Sequence, residues 1–478
     1  MHYLVLISIL LPLILGITLY FSKIQNRNLK NIIIGSTIGL VVVLNVVLAF
    51  FNGKFDLFNL TPDLNIGFMI DRLGSFFAIA ISFVWLLVTI YSFEYMKHEE
   101  NEDKFYCFFF LSLASLMGMC YSRNLATIYV FFELITLCSF PLVMHSKSKE
   151  SISAAMKYLY YSIGGAFLAL IGLFYMINYS NNGDFTYGGI INFEGLNTNL
   201  LQVVIFLGVL GFGAKAGMFP LQSWLPTAHP VAPSNASSVL SGVITKAGVF
   251  VIIRIIYYVV GVNFLKGSWV QYTLIILALI TILLGSGIAW ACNNFKKRLA
   301  YSTVSQVSYI LLGIFVMSEV GLVGSLLHVL AHMGIKVTLF LTAGAVLYKT
   351  HKREVSDLVG IGKVMPIVIV CYSLASLGLV GVPPLGGFYS KWFLATGALS
   401  NNLGALGYVA CAVLLISAIL TAAYLLPIMI KGFFVGDKEI EKNEPNKLMT
   451  VPMIILIVMV FAVGVFSGYI QDYILGMM

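Results

Sequence analysis

Long apolar stretches alternate with short polar segments along the whole chain. A helix needs about 20 apolar residues to cross the hydrocarbon core of a bilayer. Runs near that length predict about fourteen membrane-spanning helices, at 3–22, 31–51, 73–95, 105–121, 124–144, 152–178, 200–220, 235–260, 270–292, 299–317, 321–348, 364–397, 403–431 and 449–471. The longest predicted loops are Ser180–Asn199 and Gly432–Lys447. The pattern therefore indicates an all-α polytopic membrane protein.

Composition agrees with this prediction. Of the 478 residues 59% are hydrophobic and only 10% are charged, whereas soluble domains carry about 25% charged residues. The first apolar run lacks a basic leading segment and a small-residue cleavage site, so we expect it to be a retained helix and not a signal peptide. The net charge of +8 is explained by topology below, and it does not indicate a nucleic-acid partner.

Lysine and arginine are distributed unevenly between the two ends of the predicted helices. With both termini placed outside the cytoplasm, 19 of the 28 basic residues fall on the cytoplasmic side and five, including Arg254, on the other. Cytoplasmic loops of membrane proteins carry such an excess. The bias therefore predicts that both termini lie on the extracytoplasmic side.

The remaining four basic residues lie inside apolar spans. They are Lys215, Lys246, Lys336 and Lys391, and a fifth charged residue, Glu133, lies near the middle of the fifth span. A charge at the centre of a spanning helix costs about 2.5–3.5 kcal/mol on insertion scales, and such residues commonly mark ion pathways. Lys215 is the expected partner of Glu133, and a structural ion pair between the two helices is the alternative interpretation.

The eighth and eleventh spans add polar groups to this set. Lys246 is surrounded by small and hydroxyl residues that leave room for water, and snorkelling to an interface is the alternative. His328, His332 and Lys336 are spaced i, i+4 and i+8, so they share one helix face. Histidine suits reversible proton transfer, which indicates a relay. A zinc site is disfavoured because no glutamate follows His328 and no third ligand is evident.

Two spans are interrupted by glycine and proline at matching positions. GMFPLQSWL at 217–225 follows Lys215, and GGFYSKWFL at 386–394 contains Lys391. The two segments are five helices apart, so the copies have opposite topology, which is typical of inverted repeats with sites at broken helices. A kink needed only for packing is the alternative for either break alone.

The connection PTAHPVAPSN resembles a loop between the seventh and eighth spans. Its His229 is predicted to be either an entry-side group or an exposed loop histidine. The six cysteines, Cys107, Cys120, Cys138, Cys292, Cys371 and Cys411, lie in or beside apolar runs without metal-ligand spacing. We expect them to be small buried hydrophobic residues.

Several motifs together resemble a known family. They are YSFEYM after the third span, the glutamate of the fifth span, AKAGMFPLQSWLPTAHPVAPS, the lysine of the eighth span, HVLAHMGIKVTLF and GVPPLGGFYSK. In these motifs the chain resembles the antiporter-like proton-translocating subunits of complex I, membrane-bound hydrogenases and Mrp cation/proton antiporters. It is most similar to the Mrp D subunit and its hydrogenase counterpart for two reasons. The chain ends soon after the fourteenth span, and the ionisable residue at the break in the twelfth span, Lys391, is a lysine and not a glutamate.

The resemblance implies two inverted five-helix repeats, helices 4–8 and 9–13, with helices 7 and 12 broken. The domains expected from it are 1–104 with helices 1–3, 105–260 and 261–431 with the repeats, and 432–478 with a cytoplasmic loop and helix 14. It also implies roles for the buried residues. Glu133 and Lys215 would form an input-side pair, Lys246 would pass protons to a central axis with His328, His332 and Lys336, and Lys391 would be the terminal site.

The resemblance further implies that the protein lies in a prokaryotic cell membrane and transports protons. Its expected partners are other integral membrane subunits, including paralogous ones and small multi-pass ones. Whether sodium is also transported, and whether redox subunits belong to the complex, stays open. We expect no catalytic site and no cofactor in this chain, because nucleotide, flavin, haem and iron–sulfur motifs do not occur in it. The host complex stays open between an antiporter, a hydrogenase and a complex I-like pump. An N-like subunit of NADH-quinone oxidoreductase and an independent solute/proton transporter are the alternatives.

Overall fold

The computed structural model describes residues 2–22, 24–61, 64–180, 183–401, 403–434 and 442–478. Helices dominate these residues. The longer ones are α1 (His2–Ser22), α2 (Arg27–Leu48), α3 (Arg72–Tyr95), α4 (Glu102–Cys120), α5 (Leu125–Val143), α6 (Lys149–Asn178), α7 (Thr198–Ala216), α8 (Leu225–Val231), α9 (Ser234–Val260), α10 (Trp269–Ala291), α11 (Phe295–Phe315), α12 (Glu319–Thr350), α13 (Pro366–Val380), α14 (Gly386–Ser400), α15 (Ala405–Phe434), α16 (Lys447–Val465) and α17 (Ser467–Leu475).

Within the described residues, twelve helices are long and apolar enough to cross a membrane. Two further predicted spans are α11, which has the length but begins with the charged segment FKKR, and the broken pair α13–α14. The polytopic all-α class predicted from the sequence is thereby confirmed. Part of the predicted loop after α15, at 435–441, lies outside the described residues, as do Lys23 and Lys438 of the charge count.

A β-hairpin between α2 and α3 is not anticipated by the hydropathy pattern. Its strands β1 (Gly53–Thr61) and β2 (Leu64–Ile70) pair antiparallel. Arg123, between α4 and α5, forms ion pairs with Asp56 of the hairpin (2.7 Å) and with Asp184. Ion pairs therefore link the hairpin to the connection before α5 and to the connection after α6, at the end of the bundle where α3 begins.

The centre of the bundle is formed by α9 and α12. In the most apolar stretch of each helix, all residues of α9 and 94% of those of α12 are buried, against 28% in α2 and 39% in α6. The peripheral helices thus turn much of their surface outward, as helices that contact lipid do. Polar side chains on α9 and α12 accordingly face protein and not lipid.

Arg254 is one of the five basic residues that the charge analysis places on the extracytoplasmic side. It lies within α9 and is buried, with 0% exposure. Its guanidinium donates two hydrogen bonds, of 2.6 and 2.7 Å, to the carboxylate of Asp71, which precedes α3 and caps it. The rings of Phe185, Phe250 and Tyr258 surround the guanidinium. A bidentate carboxylate thus compensates a buried charge that the sequence places 183 positions away.

Asp71→Ala is expected to destabilise the protein strongly, because it leaves the Arg254 guanidinium buried without a counter-ion. Breaking a buried ion pair on one side costs about 3–5 kcal/mol. Thermal unfolding in detergent will show a lowered Tm for Asp71→Ala, and the control Asp472→Ala, at an exposed carboxylate, will not. Adding Arg254→Met should restore much of the loss. Equal Tm values for Asp71→Ala and the control would contradict this account.

Candidate functional site

The seventh span is broken where the sequence predicts. Gly217 takes a left-handed conformation (φ 76°) that ends α7, and Pro220 follows before the chain resumes as α8. Trp224 donates its indole N–H to the carbonyl oxygen of Ala214 (2.8 Å), which satisfies one of the acceptors freed at the helix end. The break therefore holds Lys215, in the last turn of α7, at a fixed place inside the bundle.

Lys215 is 1% exposed and is held by a hydroxyl and aromatic rings. Its ammonium donates to Thr136 Oγ1 on α5 and lies 4.8 Å from the ring centroid of Phe132 and 5.8 Å from that of Tyr158. These contacts place the charge between α5, α6 and α7.

The expected pairing of Lys215 with Glu133 is not a direct contact. The two charges are close enough to interact, but no ion pair of 4.0 Å or less joins them among the salt bridges of the described residues. Glu133 Oε1 is buried without a hydrogen-bond partner in the described protein. This geometry leaves the carboxylate free to accept a proton or a hydrogen bond.

Lys246 contacts one of the predicted histidines. It is 0% exposed on α9, and its Nζ donates to the carbonyl oxygen of Ser241 (2.8 Å) and lies 2.6 Å from Nδ1 of His332 on α12. The turn Leu240–Ile244 just before it is a π-helix, a local widening that is frequent at functional sites. An amine and an imidazole at this distance can share a proton directly.

His328 extends the same line along α12. Its ring centroid is 5.9 Å from that of His332, and its Nδ1 lies 2.8 Å from Ser390 Oγ on α14. The Tyr309 ring stacks on it at 5.7 Å. The Nε2 atoms of both histidines are buried and have no hydrogen-bond partner in the described protein.

Lys336 lies one turn after His332 on α12, near the middle of the helix. It is 0% exposed, and its ammonium donates to the carbonyl oxygen of Leu299 on α11 (3.2 Å). Its backbone position agrees with the predicted shared face.

Lys391 lies at the second predicted break. α13 ends at Val380, Gly381 takes a positive φ of 101°, and α14 begins at Gly386. The Lys391 ammonium reaches back and donates to the carbonyl oxygens of Leu379 (2.5 Å) and Val380 (3.0 Å). It also lies 5.2 Å from the Tyr309 ring centroid.

The structure therefore brings most of the predicted residues together. Lys246, His332, His328 and Lys391 form a line across α9, α12 and α14, in which Ser390 and Tyr309 supply the last connection. We call this line the central polar line. Glu133 and Lys215 form a second cluster on α5 and α7. These placements agree with the predicted positions, and the roles stay predictions.

Two buried polar residues of the bundle were missed in the sequence. Tyr309 contacts both His328 and Lys391, and Gln306 is fully buried with both amide atoms unpartnered in the described protein. Both lie on α11, whose STVSQVSY segment is unusually polar for a spanning helix. That polarity is the signal that could have identified them.

His229 corrects the prediction of a loop. Residues 226–231 of the segment belong to the helix α8, and His229 is 0% exposed, with its ring stacked on Phe340 at 4.8 Å. Both ring nitrogens lack a hydrogen-bond partner in the described protein. Prolines at 226 and 230 suggested irregular chain, but proline is tolerated in the first turn of a helix and α8 is only seven residues long.

The bundle, its two breaks and the central polar line define a polytopic membrane protein with ionisable side chains buried along its interior. A family model described as NADH:quinone oxidoreductase/Mrp antiporter, TM, matches residues 122–421, and one described as NADH-ubiquinone oxidoreductase (complex I), chain 5 N-terminus, matches residues 59–106. The chain belongs to the NADH:quinone oxidoreductase/Mrp antiporter family of membrane proteins. The resemblance stated from the motifs is confirmed.

Individual relatives come from several kinds of complex. The chain is 32% identical to the N subunit of NADH-quinone oxidoreductase from Desulforudis audaxviator, over 86% of this chain and 84% of that protein. It is 26% identical to the D subunit of the Na(+)/H(+) antiporter from Alkalihalophilus pseudofirmus, over 99% of this chain and 96% of that protein. A chain in the structure of the Mrp complex from Dietzia has the same fold, with a TM-score of 0.86 at 21% identity, over 98% and 95% of the two chains.

Proposed function

We propose that this protein is a proton-translocating membrane subunit of a larger complex, and that protons cross it along buried glutamate, lysine and histidine side chains with intervening water. The observation that carries the proposal is the central polar line, in which Lys246 Nζ and His332 Nδ1 are 2.6 Å apart. Buried ionisable groups in a membrane are costly and commonly serve proton relays.

Each member of the proposed pathway has an orientation suited to its step. Glu133 and Lys215 take up a proton at the α5–α7 cluster, and Lys246 passes it to His332. His328 then connects through Ser390 and Tyr309 to Lys391 at the second break. Because each histidine has one ring nitrogen engaged by a neighbouring residue and one unpartnered in the described protein, it can accept a proton on one side and release one on the other.

The proposal includes an orientation and partners. The basic ends of the helices face the cytoplasm, both termini face the opposite side, and paralogous and small multi-pass membrane subunits pack against the exposed apolar faces of the peripheral helices. The chain is proposed to hold no cofactor, so redox chemistry, where the complex has any, belongs to other subunits.

The nature of the complex is proposed from the extent of the likeness. The relatives that are D subunits of Na(+)/H(+) antiporters align over almost their whole length, which favours an Mrp-type antiporter with sodium as the exchanged ion. The N subunit of NADH-quinone oxidoreductase is the second candidate, because that relative has the higher identity.

Purification of the complex from its native membrane in mild detergent tests both parts of the proposal. Reconstituted in liposomes with an internal pH dye, it will move protons when a sodium gradient is applied, and mass spectrometry will identify small multi-pass subunits and a larger paralogue. Co-purification of NADH- or hydrogen-oxidising subunits would replace the antiporter by a redox pump. Solute uptake by this chain alone would overturn the proposal.

A further inference from the structure

Arg254 and Asp71 form an ion pair near the end of α9 that is proposed to face away from the cytoplasm. A buried ion pair is weak evidence for a stabilising role, because apolar residues of similar volume are often as stable in its place. Arg254 is nevertheless 0% exposed. A guanidinium kept at that depth is therefore better explained by a use of its charge than by packing.

Arg254 lies on the same face of α9 as Lys246. The two residues are eight positions apart, and Phe250 lies halfway between them, so the three share one helix face. At a rise of about 1.5 Å per residue, Arg254 is about 12 Å closer than Lys246 to the extracytoplasmic end of the helix. All residues of 246–254 are buried. A route along α9 from the central polar line to that end therefore passes Arg254.

Aromatic rings and one carboxylate enclose the Arg254 guanidinium. Its central carbon lies 5.1 Å from the ring centroid of Phe250 and 4.7 Å from that of Tyr258. Phe77 of α3 packs edge-on against Phe250, with the ring centroids 5.0 Å apart. The carboxylate is that of Asp71, whose side chain is 20% exposed. The ion pair therefore extends from a ring-lined interior to the surface.

A guanidinium cannot take part in a proton relay. It carries five N–H donors and no acceptor, and it is not deprotonated in proteins. A proton on water or on a neighbouring amine therefore finds no atom of Arg254 that accepts it. The fixed positive charge also repels an approaching proton, as an arginine does in pores that exclude protons and cations. A proton on Lys246 is thus blocked in this direction by chemistry and by charge.

We propose that Arg254, held by Asp71, is an electrostatic seal that prevents protons of the central polar line from escaping along α9 to the extracytoplasmic side. A proton on Lys246 then continues only through His332 towards Lys391. Arg254 transfers no proton itself. A direct escape would dissipate the proton gradient without any transfer along the rest of the line. The inference rests on the proposed function, since a seal matters only if the line conducts protons.

Arg254→Gln combined with Asp71→Asn tests the seal in the reconstituted complex. The two amides leave no buried charge unpaired, and glutamine is shorter than arginine, which leaves room for water. Without sodium and without an electron donor, a potassium diffusion potential set with valinomycin draws protons into the liposomes, and an internal pH dye records the leak. This double variant should leak about tenfold faster than the wild type, because charges that line a cleft change local ion concentrations by that order.

Two further variants separate the effect of charge from a general loosening of the bundle. Arg254→Lys keeps a positive charge beside Asp71 and should leak no faster than the wild type. Arg72→Gln removes an exposed arginine at the same end of the bundle and is the matched control, also with no added leak. Native gel electrophoresis and Tm report assembly and folding. A leak in Arg254→Lys equal to that of the double variant would overturn the seal.

Lys246→Ala distinguishes failure of the seal from failure of the proposed function. Added to the double variant, it should abolish the leak, and a leak that persists would place the path outside the central polar line and overturn the seal. If Lys246→Ala alone abolishes driven flux but the double variant is as tight as the wild type, the seal is wrong and the proposed function stands. If Lys246→Ala alone leaves driven flux intact, the proposed function itself is wrong.

Discussion

Lys215→Ala will abolish proton translocation while the protein still assembles into its complex. The ammonium is buried and satisfied by one hydroxyl, Thr136 Oγ1, together with two aromatic rings. A positioned group that transfers protons contributes about 10²–10⁴-fold to the rate, so flux should fall by about a hundredfold or more. Assembly should survive because removal of a buried amine also removes its desolvation cost.

The experiment compares several substitutions at this position in liposomes. Lys215→Met keeps most of the side-chain volume and removes the charge, so it should be as inactive as Lys215→Ala. Lys149→Ala changes an exposed lysine at the start of α6 and should leave flux unchanged. Native gel electrophoresis reports assembly in each case. Normal flux in the Lys215→Met complex would show that the amine has no part in conduction.

Lys246→Ala and His332→Ala should each cause a large loss of flux, and the double variant should be no worse than the more damaging single one. The reason is the 2.6 Å contact between Lys246 Nζ and His332 Nδ1, which makes the two side chains one transfer unit. Residues that act as a unit are strongly non-additive. If the two side chains contributed independently, their fold-losses of flux would instead multiply in the double variant.

The control for this pair is Lys266→Ala, at an exposed lysine in the connection after α9. Folding must also be followed, because residues in contact couple in stability by about 0.5–3 kcal/mol. Measurement of Tm for all four proteins separates that coupling from the coupling in flux. Multiplicative losses in flux at equal Tm would mean that Lys246 and His332 act in different steps.

The fold was predictable wherever composition alone decides it. The length of each apolar run is set by the thickness of the bilayer, so the sequence predicts the spans. Gly217 and Gly381 mark the two breaks because glycine tolerates the positive φ found at both. The positions of Lys246, His328, His332 and Lys391 followed from the cost of burying charge.

Other features depend on contacts that no local pattern contains. The sequence does not show that Arg254 is buried and paired, because its counter-ion, Asp71, lies at the end of a distant helix. Lys215 meets a threonine on α5, and Glu133 on the same helix does not pair with it directly, because rotation of an apolar helix about its axis is set by packing and not by hydropathy. The hairpin at 53–70 was missed because its short strands lie between two spans, and a search for apolar runs long enough to cross a bilayer does not detect strands of that length.

The second break also affects how variants of Lys391 must be interpreted. Two backbone carbonyls at the end of α13, those of Leu379 and Val380, have the Lys391 ammonium as their donor, so this lysine serves as a cap for another helix. Any neutral apolar side chain at position 391 leaves those two carbonyl oxygens inside the bundle without this hydrogen-bond donor. A Lys391 variant that loses flux therefore reports two defects at once, whereas Lys215, whose neighbouring carbonyl oxygen is capped by Trp224, can be changed with its helix end intact.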